Sequence, residues 1–286
     1  MKILRSIFDF YLNASIHVAF GVFALINITA ETLNVSIDFH LSWFLFYATI
    51  VCYNFIKYGV EAEKYILVAN HYHKSIQVFS FVMLIPMVFH AYFLNFETWL
   101  GIVALLIMVG LYTLPILPNT KNLRSLGILK IFIVAFVWSG ITVVIPLISI
   151  KHNVFSLNIV IEVLQRFLVI LILLIPFEIR DLVYDDKELR TLPQRYGVAN
   201  TKSIGSFMVV FFFALTFLKN VITHKELVAK GVLFLALGSL MFVTKRNQSK
   251  YFSSFWVESI PILWWGIIVL MNREEFKVYL SKLLSF

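Results

Sequence analysis

Hydrophobic residues in this chain come in long unbroken runs, not in the narrow stripe of a soluble helix or the alternation of a half-buried strand. A membrane-spanning helix needs about 20 predominantly apolar residues at 1.5 Å rise each. Nine stretches meet that requirement, at 10–29, 39–57, 75–94, 98–115, 127–149, 158–177, 204–221, 227–244 and 254–272. The pattern predicts an all-α polytopic membrane bundle of about nine helices. It forms one domain over 1–286, because no interval between the runs is long enough for a soluble one. Pro86, Pro146, Pro176 and Pro261 fall inside or at the ends of spans, where they are expected to kink the helix. No small-residue cleavage site follows the first run, so it is expected to stay as a helix.

Composition agrees with the pattern. Sixty per cent of residues are hydrophobic and only 14% are charged, against about 25% charged in soluble domains. Mean hydropathy is +0.87. The single Cys52 excludes an intrachain disulfide. The net charge of +8 is unevenly placed: sixteen of the 24 Lys and Arg fall on the side of the N-terminus and seven on the other, with Arg166 left inside the sixth span. The excess assigns the N-terminal side to the cytoplasm. Basic residues at 245–250 then read as an orientation signal, and nucleic acid is not a partner. Glu162 stands one turn before Arg166, an i,i+4 ion pair near the outer end of that helix.

One segment breaks the economy of charge. Glu178, Asp181, Asp185, Asp186 and Glu188, five of the sixteen acids, follow the sixth apolar run directly. If that helix continues past Pro176, Glu178, Asp181, Asp185 and Glu188 fall on one arc, since successive residues turn by about 100°. Carboxylates one turn apart suit Mg²⁺, which takes one or two of them together with phosphate oxygens. Neighbouring Arg and Lys suit the remaining phosphate charge. A solvated acidic face balanced by basic neighbours fits the spacing equally well.

Asp181-Leu-Val-Tyr-Asp185, followed by Leu189-Arg-Thr-Leu-Pro-Gln-Arg-Tyr-Gly197, resembles the second aspartate motif of the UbiA-type intramembrane prenyltransferases, D-I-x-D-x-x-x-D with a T-L-P-x-R-x-G tail. Glu178 stands where that family usually carries the leading Asp. Tyr112-Thr-Leu-Pro115, with Lys121, Arg124 and Lys130 after it, resembles the family's fourth loop. The resemblance runs over essentially the whole chain, with its sharp motif at 178–197. It implies a membrane transferase that moves a prenyl group from a prenyl diphosphate to a lipophilic or aromatic acceptor, assisted by Mg²⁺. It further implies Asp181 and Asp185 as catalytic metal ligands, with Glu178, Asn54 and Glu61 completing the set. Lys121, Arg124, Lys130, Tyr112, Arg180, Tyr184, Lys187 and Arg195 become candidate contacts to the diphosphate or the allylic cation.

The chain departs from the family at its first motif, N-D-x-x-D-x-x-x-D. Asn54 is kept, but Phe55, Tyr58 and Ala62 occupy the three Asp positions, while Glu61 and Glu63 are out of register and Lys57 is new. Either Glu61 or Glu63 replaces a lost Asp, with Lys57 or Lys64 taking diphosphate charge, or the fold and a prenyl-lipid pocket survive without the chemistry. A small transporter is the other class, and it requires His17, His90 and Arg166 to face one midplane cavity. His71 and His73, at i,i+2, do not share a helix face and read as interfacial residues of a loop.

Overall fold

A computed structural model describes residues 2–58, 71–113, 127–185 and 189–284. The described residues are helical throughout their ordered elements. A short α1 (Lys2–Asn13) precedes α2 (Ile16–Leu33), α3 (Phe39–Tyr58), α4 (His71–Ala91) and α5 (Phe96–Thr113). A composite rod follows, made of α6 (Leu129–Ser139), a π-helical turn at Gly140–Val144 and α7 (Ile145–Ser149). Then come α8 (Leu157–Asp181), α9 (Leu192–Leu215), α10 (His224–Val243), a π-helical turn at Phe252–Val257, and α11 (Ile260–Leu284). Eight of these stretches are long and apolar enough to cross a membrane, and Phe96–Leu111 is a shorter apolar helix. The expected set of nine therefore holds, and the protein is an integral multi-pass membrane protein.

Several expected boundaries move, among them the start of α9, which falls at Leu192 and not at residue 204. The first span starts at Ile16, not at residue 10, because the chain breaks at Ser15, whose φ is 60°. Residues 2–13 form a separate helix, tied by Asp9 to Lys250 and Tyr251 at 2.7 and 2.8 Å. Hydrogen bonds from those two groups hold the Asp9 carboxyl below its ordinary range. His71 and His73 open α4 instead of lying in a loop.

α2 and α8 lie at the centre. α2 packs on α3 and α11, and α8 on α6 and α9. α8 is the most buried span and α4 the least. Phe81, Ile85, Val88 and Phe89 of α4 project outward, an apolar face suited to hydrocarbon and not to water. Pro146 has no N–H to offer the carbonyl of Thr142 four residues earlier. Thr29 Oγ1 donates to that carbonyl instead, at 2.7 Å, so α2 repairs the break that Pro146 makes in its neighbour.

Arg166 is fully buried in α8. Its Nη1 donates to the Leu25 carbonyl at 2.8 Å and to Thr142 Oγ1 at 3.0 Å, and its Nη2 lies 3.6 Å from Glu162 Oε1. The expected i,i+4 pair is thus present, within a larger cluster. Glu162 Oε2 accepts from Lys219 at 3.0 Å and from Lys230 at 2.9 Å, and Lys230 also reaches Glu226 at 2.7 Å. Burial would lower the Lys219 ammonium, yet Glu162 and Glu226 carry it above the ordinary lysine value. Breaking a buried charge pair from one side leaves the remaining charge uncompensated, at a cost of about 3–5 kcal/mol. Glu162→Ala is therefore expected to lower the unfolding temperature in detergent substantially. Asp9→Ala, at a pair whose lysine is 56% exposed, should change stability by less than about 1 kcal/mol. Equal effects of the two substitutions would refute this account of the cluster.

Candidate functional site

α8 runs unbroken through Pro176 and ends at Asp181, so the acidic segment begins as a helix C-terminus and continues as a turn. The amide of Asp185 donates to the carbonyl of Asp181 at 2.8 Å, which folds the segment back toward α6. Lys130 of α6 meets it there. Its Nζ lies 2.8 Å from Glu178 Oε1 and 3.4 Å from Asp185 Oδ2. Arg180 clasps its neighbour Asp181 through two bonds, at 2.7 and 3.1 Å.

The Thr-Leu-Pro-Gln-Arg-Tyr-Gly stretch after this turn shapes the backbone. Thr191 is the N-cap of α9, and the Gln194 side chain accepts from its backbone N–H at 3.0 Å. Pro193 sits in the first turn, where a missing N–H leaves no bond unmade. Gly197 has φ 77° and bends the helix. Arg195 donates to the Arg190 carbonyl at 3.0 Å and remains exposed. Gly127, with φ 59°, passes under the same segment so closely that an added Cβ would lie 2.1 Å from the Leu189 carbonyl oxygen.

Beside these residues a cavity of about 440 Å³ opens among α2, α3, α6, α8 and the start of α11. Its inner wall is apolar, with Ile131, Val134, Trp138, Ile170 and Leu174. Its other end carries Lys57, Lys130, Glu178, Arg180, Asp181 and Glu258, flanked by Tyr53 and Tyr58. Trp138 Nε1 donates to the Tyr53 hydroxyl at 3.2 Å, which ties α6 to α3 across the apolar part.

The structure brings together Glu178, Asp181, Arg180 and Lys130 at this cavity, with Asp185 bound to Lys130 at its edge. Asn54 is buried and fully engaged elsewhere: its Oδ1 accepts from Ser15 Oγ at 2.8 Å, and its Nδ2 donates to the Ala14 carbonyl at 3.1 Å and to Ser80 Oγ at 2.8 Å. It secures the turn between α1 and α2. Tyr184 is 85% exposed and, like Arg195, is not in the cavity wall. Glu61, Lys121, Arg124 and Lys187 lie outside the described residues, as does the side chain of Tyr112.

Glu258 carries no motif and escapes sequence reading, although a lone acid within an apolar span is itself a signal of function. Tyr53 and Trp138 look like ordinary membrane aromatics until the fold sets them in one wall. The three residues that a transporter would gather remain apart. His17 bonds to Tyr11 and Ser259, His90 to His40, and Arg166 to the outer cluster.

Likeness to solved structures shows that this all-α membrane bundle has the UbiA-type prenyltransferase fold. A UbiA homologue from Archaeoglobus fulgidus bound to GPP and Mg²⁺ superposes with a TM-score of 0.57 at 12% identity, covering 91% of this chain and 98% of that one. Another structure of a UbiA homologue from Archaeoglobus fulgidus gives 0.52 at 11% identity, over 91% and 98%. A digeranylgeranylglyceryl phosphate synthase gives 0.54 at 17% identity, over 94% and 97%. No protein-family model and no curated protein matches the chain. At these identities the likeness is one of fold.

The described residues do not fit a Mg²⁺ cage, and the acids Glu61, Glu63, Asp186 and Glu188 lie outside them. Among the described residues no three His, Cys, Asp or Glu converge on a metal position. The acids of the turn already hold Lys130 and Arg180, and the facing α3 offers Lys57 and Tyr58. Glu178 Oε2 is buried without a hydrogen-bond partner among the described residues. Mg²⁺ takes one or two carboxylates together with phosphate oxygens and waters, so the misfit lies in the cations already seated on these acids.

Gly127→Ala is expected to strain a left-handed backbone and push against Leu189, costing about 1–3 kcal/mol for the backbone alone. The measurement is the unfolding temperature in detergent, with Gly238→Ala as control, since among the described residues nothing lies within 4 Å of a Cβ at that position. An unchanged midpoint for Gly127→Ala would overturn this role.

Proposed function

We propose that the protein is a UbiA-like membrane prenyltransferase that moves a prenyl group from a prenyl diphosphate to a lipophilic or aromatic acceptor. The observation that carries this reading is the polarity of the cavity. An apolar wall suited to an isoprenoid chain leads to an end bearing Lys57, Lys130 and Arg180, suited to a diphosphate. The fold's likeness to a homologue solved with GPP supports the same substrate class. The surplus of Lys and Arg on the N-terminal side supports a cytoplasmic mouth.

In the transfer, the bond between C1 of the prenyl chain and the diphosphate oxygen breaks, and the electron pair leaves with the diphosphate. Charge develops on that oxygen, where lysine and arginine cations stabilise it in a site of low dielectric. The allylic carbon becomes electron-poor beside Tyr53 and Tyr58, whose ring faces attract positive charge. The acceptor's nucleophilic atom bonds to C1, and its proton passes to Glu258, a carboxylate of the same wall with no hydrogen bond or ion pair among the described residues. The apolar wall keeps water from capturing the cation.

A second reading is a prenyl-lipid-binding protein that has kept the fold without transfer. It is favoured by Asn54, whose amide is committed to the α1–α2 turn. Purified protein in detergent, titrated with geranyl, farnesyl and geranylgeranyl diphosphate, is expected to bind at least one of them, and absence of binding would sink both readings. Turnover with radiolabelled prenyl diphosphate and a membrane-lipid extract separates the two: Glu258→Gln is expected to lower transfer by about 10²–10⁴-fold, the usual contribution of a proton-accepting group, while leaving prenyl diphosphate affinity within a few-fold. Binding without any turnover by the unaltered protein would favour the second reading.

A further inference from the structure

Three features of the cavity end depart from a metal-bridged diphosphate site, and each involves a cation built into the chain. Lys130 Nζ lies between Glu178 Oε1 and Asp185 Oδ2, at 2.8 and 3.4 Å. A position between two carboxylates seven residues apart is one a divalent ion could take, and here an ammonium takes it. Arg180 holds both oxygens of Asp181, at 2.7 and 3.1 Å. Lys57 lines the wall from α3 with no hydrogen bond or ion pair among the described residues. An ionisable group inside a membrane bundle is costly unless an opposite charge or water serves it. Glu258 lines the same wall, and among the described residues no ion-pair contact joins the two.

We propose that this cavity grips the phosphate end of its prenyl lipid through Lys57, Lys130 and Arg180 directly, and that binding needs no divalent cation. The inference rests on the prenyl diphosphate reading above and narrows it. Lys57 meets the phosphate as a cation without an ion-pair partner among the described residues. Lys130 and Arg180 turn toward it from carboxylates that they already neutralise, so the acids of the turn keep the two cations oriented while the site is empty. Arg180 presents a planar fork of N–H donors matched to phosphate oxygens, and the lysines act as point charges. A Mg²⁺ ion entering the same place would first have to displace Lys130 from Glu178.

The experiment measures geranylgeranyl diphosphate binding to the purified full chain in detergent, by calorimetry, once in EDTA and once in millimolar Mg²⁺. The expected result is affinity in EDTA within about threefold of that in Mg²⁺, which is less than 0.7 kcal/mol by the tenfold-per-1.4 kcal/mol relation. Lys57→Met is expected to weaken binding at least tenfold in EDTA, and Lys57→Arg to restore most of it, with unchanged unfolding temperatures showing that both variants fold. Affinity should fall with added salt, as for any exposed charge-based contact. Binding seen only with Mg²⁺ overturns the inference and leaves the prenyl diphosphate reading standing. Binding in EDTA that ignores Lys57→Met overturns the lysine grip. No binding in either buffer overturns both.

Discussion

Every charge on α8 has to be answered inside a bundle whose outer surface is hydrocarbon. Away from water an unpaired group is costly, so the fold has to bring a partner to it. α8 carries Glu162 and Arg166 near one end and Glu178, Arg180 and Asp181 at the other. The partners arrive from different elements: Lys219 and Lys230 from around α10 for the first group, and Lys130 from α6 for the second. Pairing on this one helix thereby fixes which helices surround it and how they are aligned along it.

The two ends solve the problem differently. At the Glu162 end, Glu162, Arg166, Lys219, Glu226 and Lys230 are all buried and held together by ion pairs, with α2 contributing the Leu25 carbonyl and Thr29. That end is closed and joins helices. At the Asp181 end the pairs line an open cavity, and Lys57 and Glu258 stand without bonded partners among the described residues. Residual unsatisfied charge in a cavity is where a polar ligand gains the most. The same requirement closes one end and leaves a charged cavity at the other, and the difference is whether neighbouring helices close over the charges.

The fold was largely legible in the chain. Nine apolar runs of spanning length became nine apolar helices among the described residues, because in lipid the backbone has no alternative to helix over such a run. Errors fell where tertiary contacts decide. Ser15 adopts a left-handed conformation and separates α1 from α2, and the bond from its hydroxyl to Asn54 belongs to another helix. The Thr-Leu-Pro-Gln-Arg-Tyr-Gly stretch was equally visible, yet its residues prove to be a cap, a first-turn proline and a bend. Asp181, Arg180, Glu178 and Lys130 were readable from spacing and resemblance. Glu258 was not, since one acid in an apolar run has no spacing to recognise.

The sequence by itself determined the membrane class, the number of spans, the uneven placement of positive charge and the density of acids after the sixth run. These depend on composition along a local stretch, and hydrocarbon thickness and helix rise convert them directly into structure. Only the tertiary structure decided which cation answers which acid. Lys130 is 48 residues from Glu178 in the chain, and Lys230 is 68 from Glu162. Pairing at that distance is set by how helices pack, and packing depends on the shapes of every side chain between them. It also decided that the acids of the turn hold lysine and arginine: the spacing of carboxylates is the same for a metal ion and for an ammonium group, and only the neighbouring helix shows which cation stands between them.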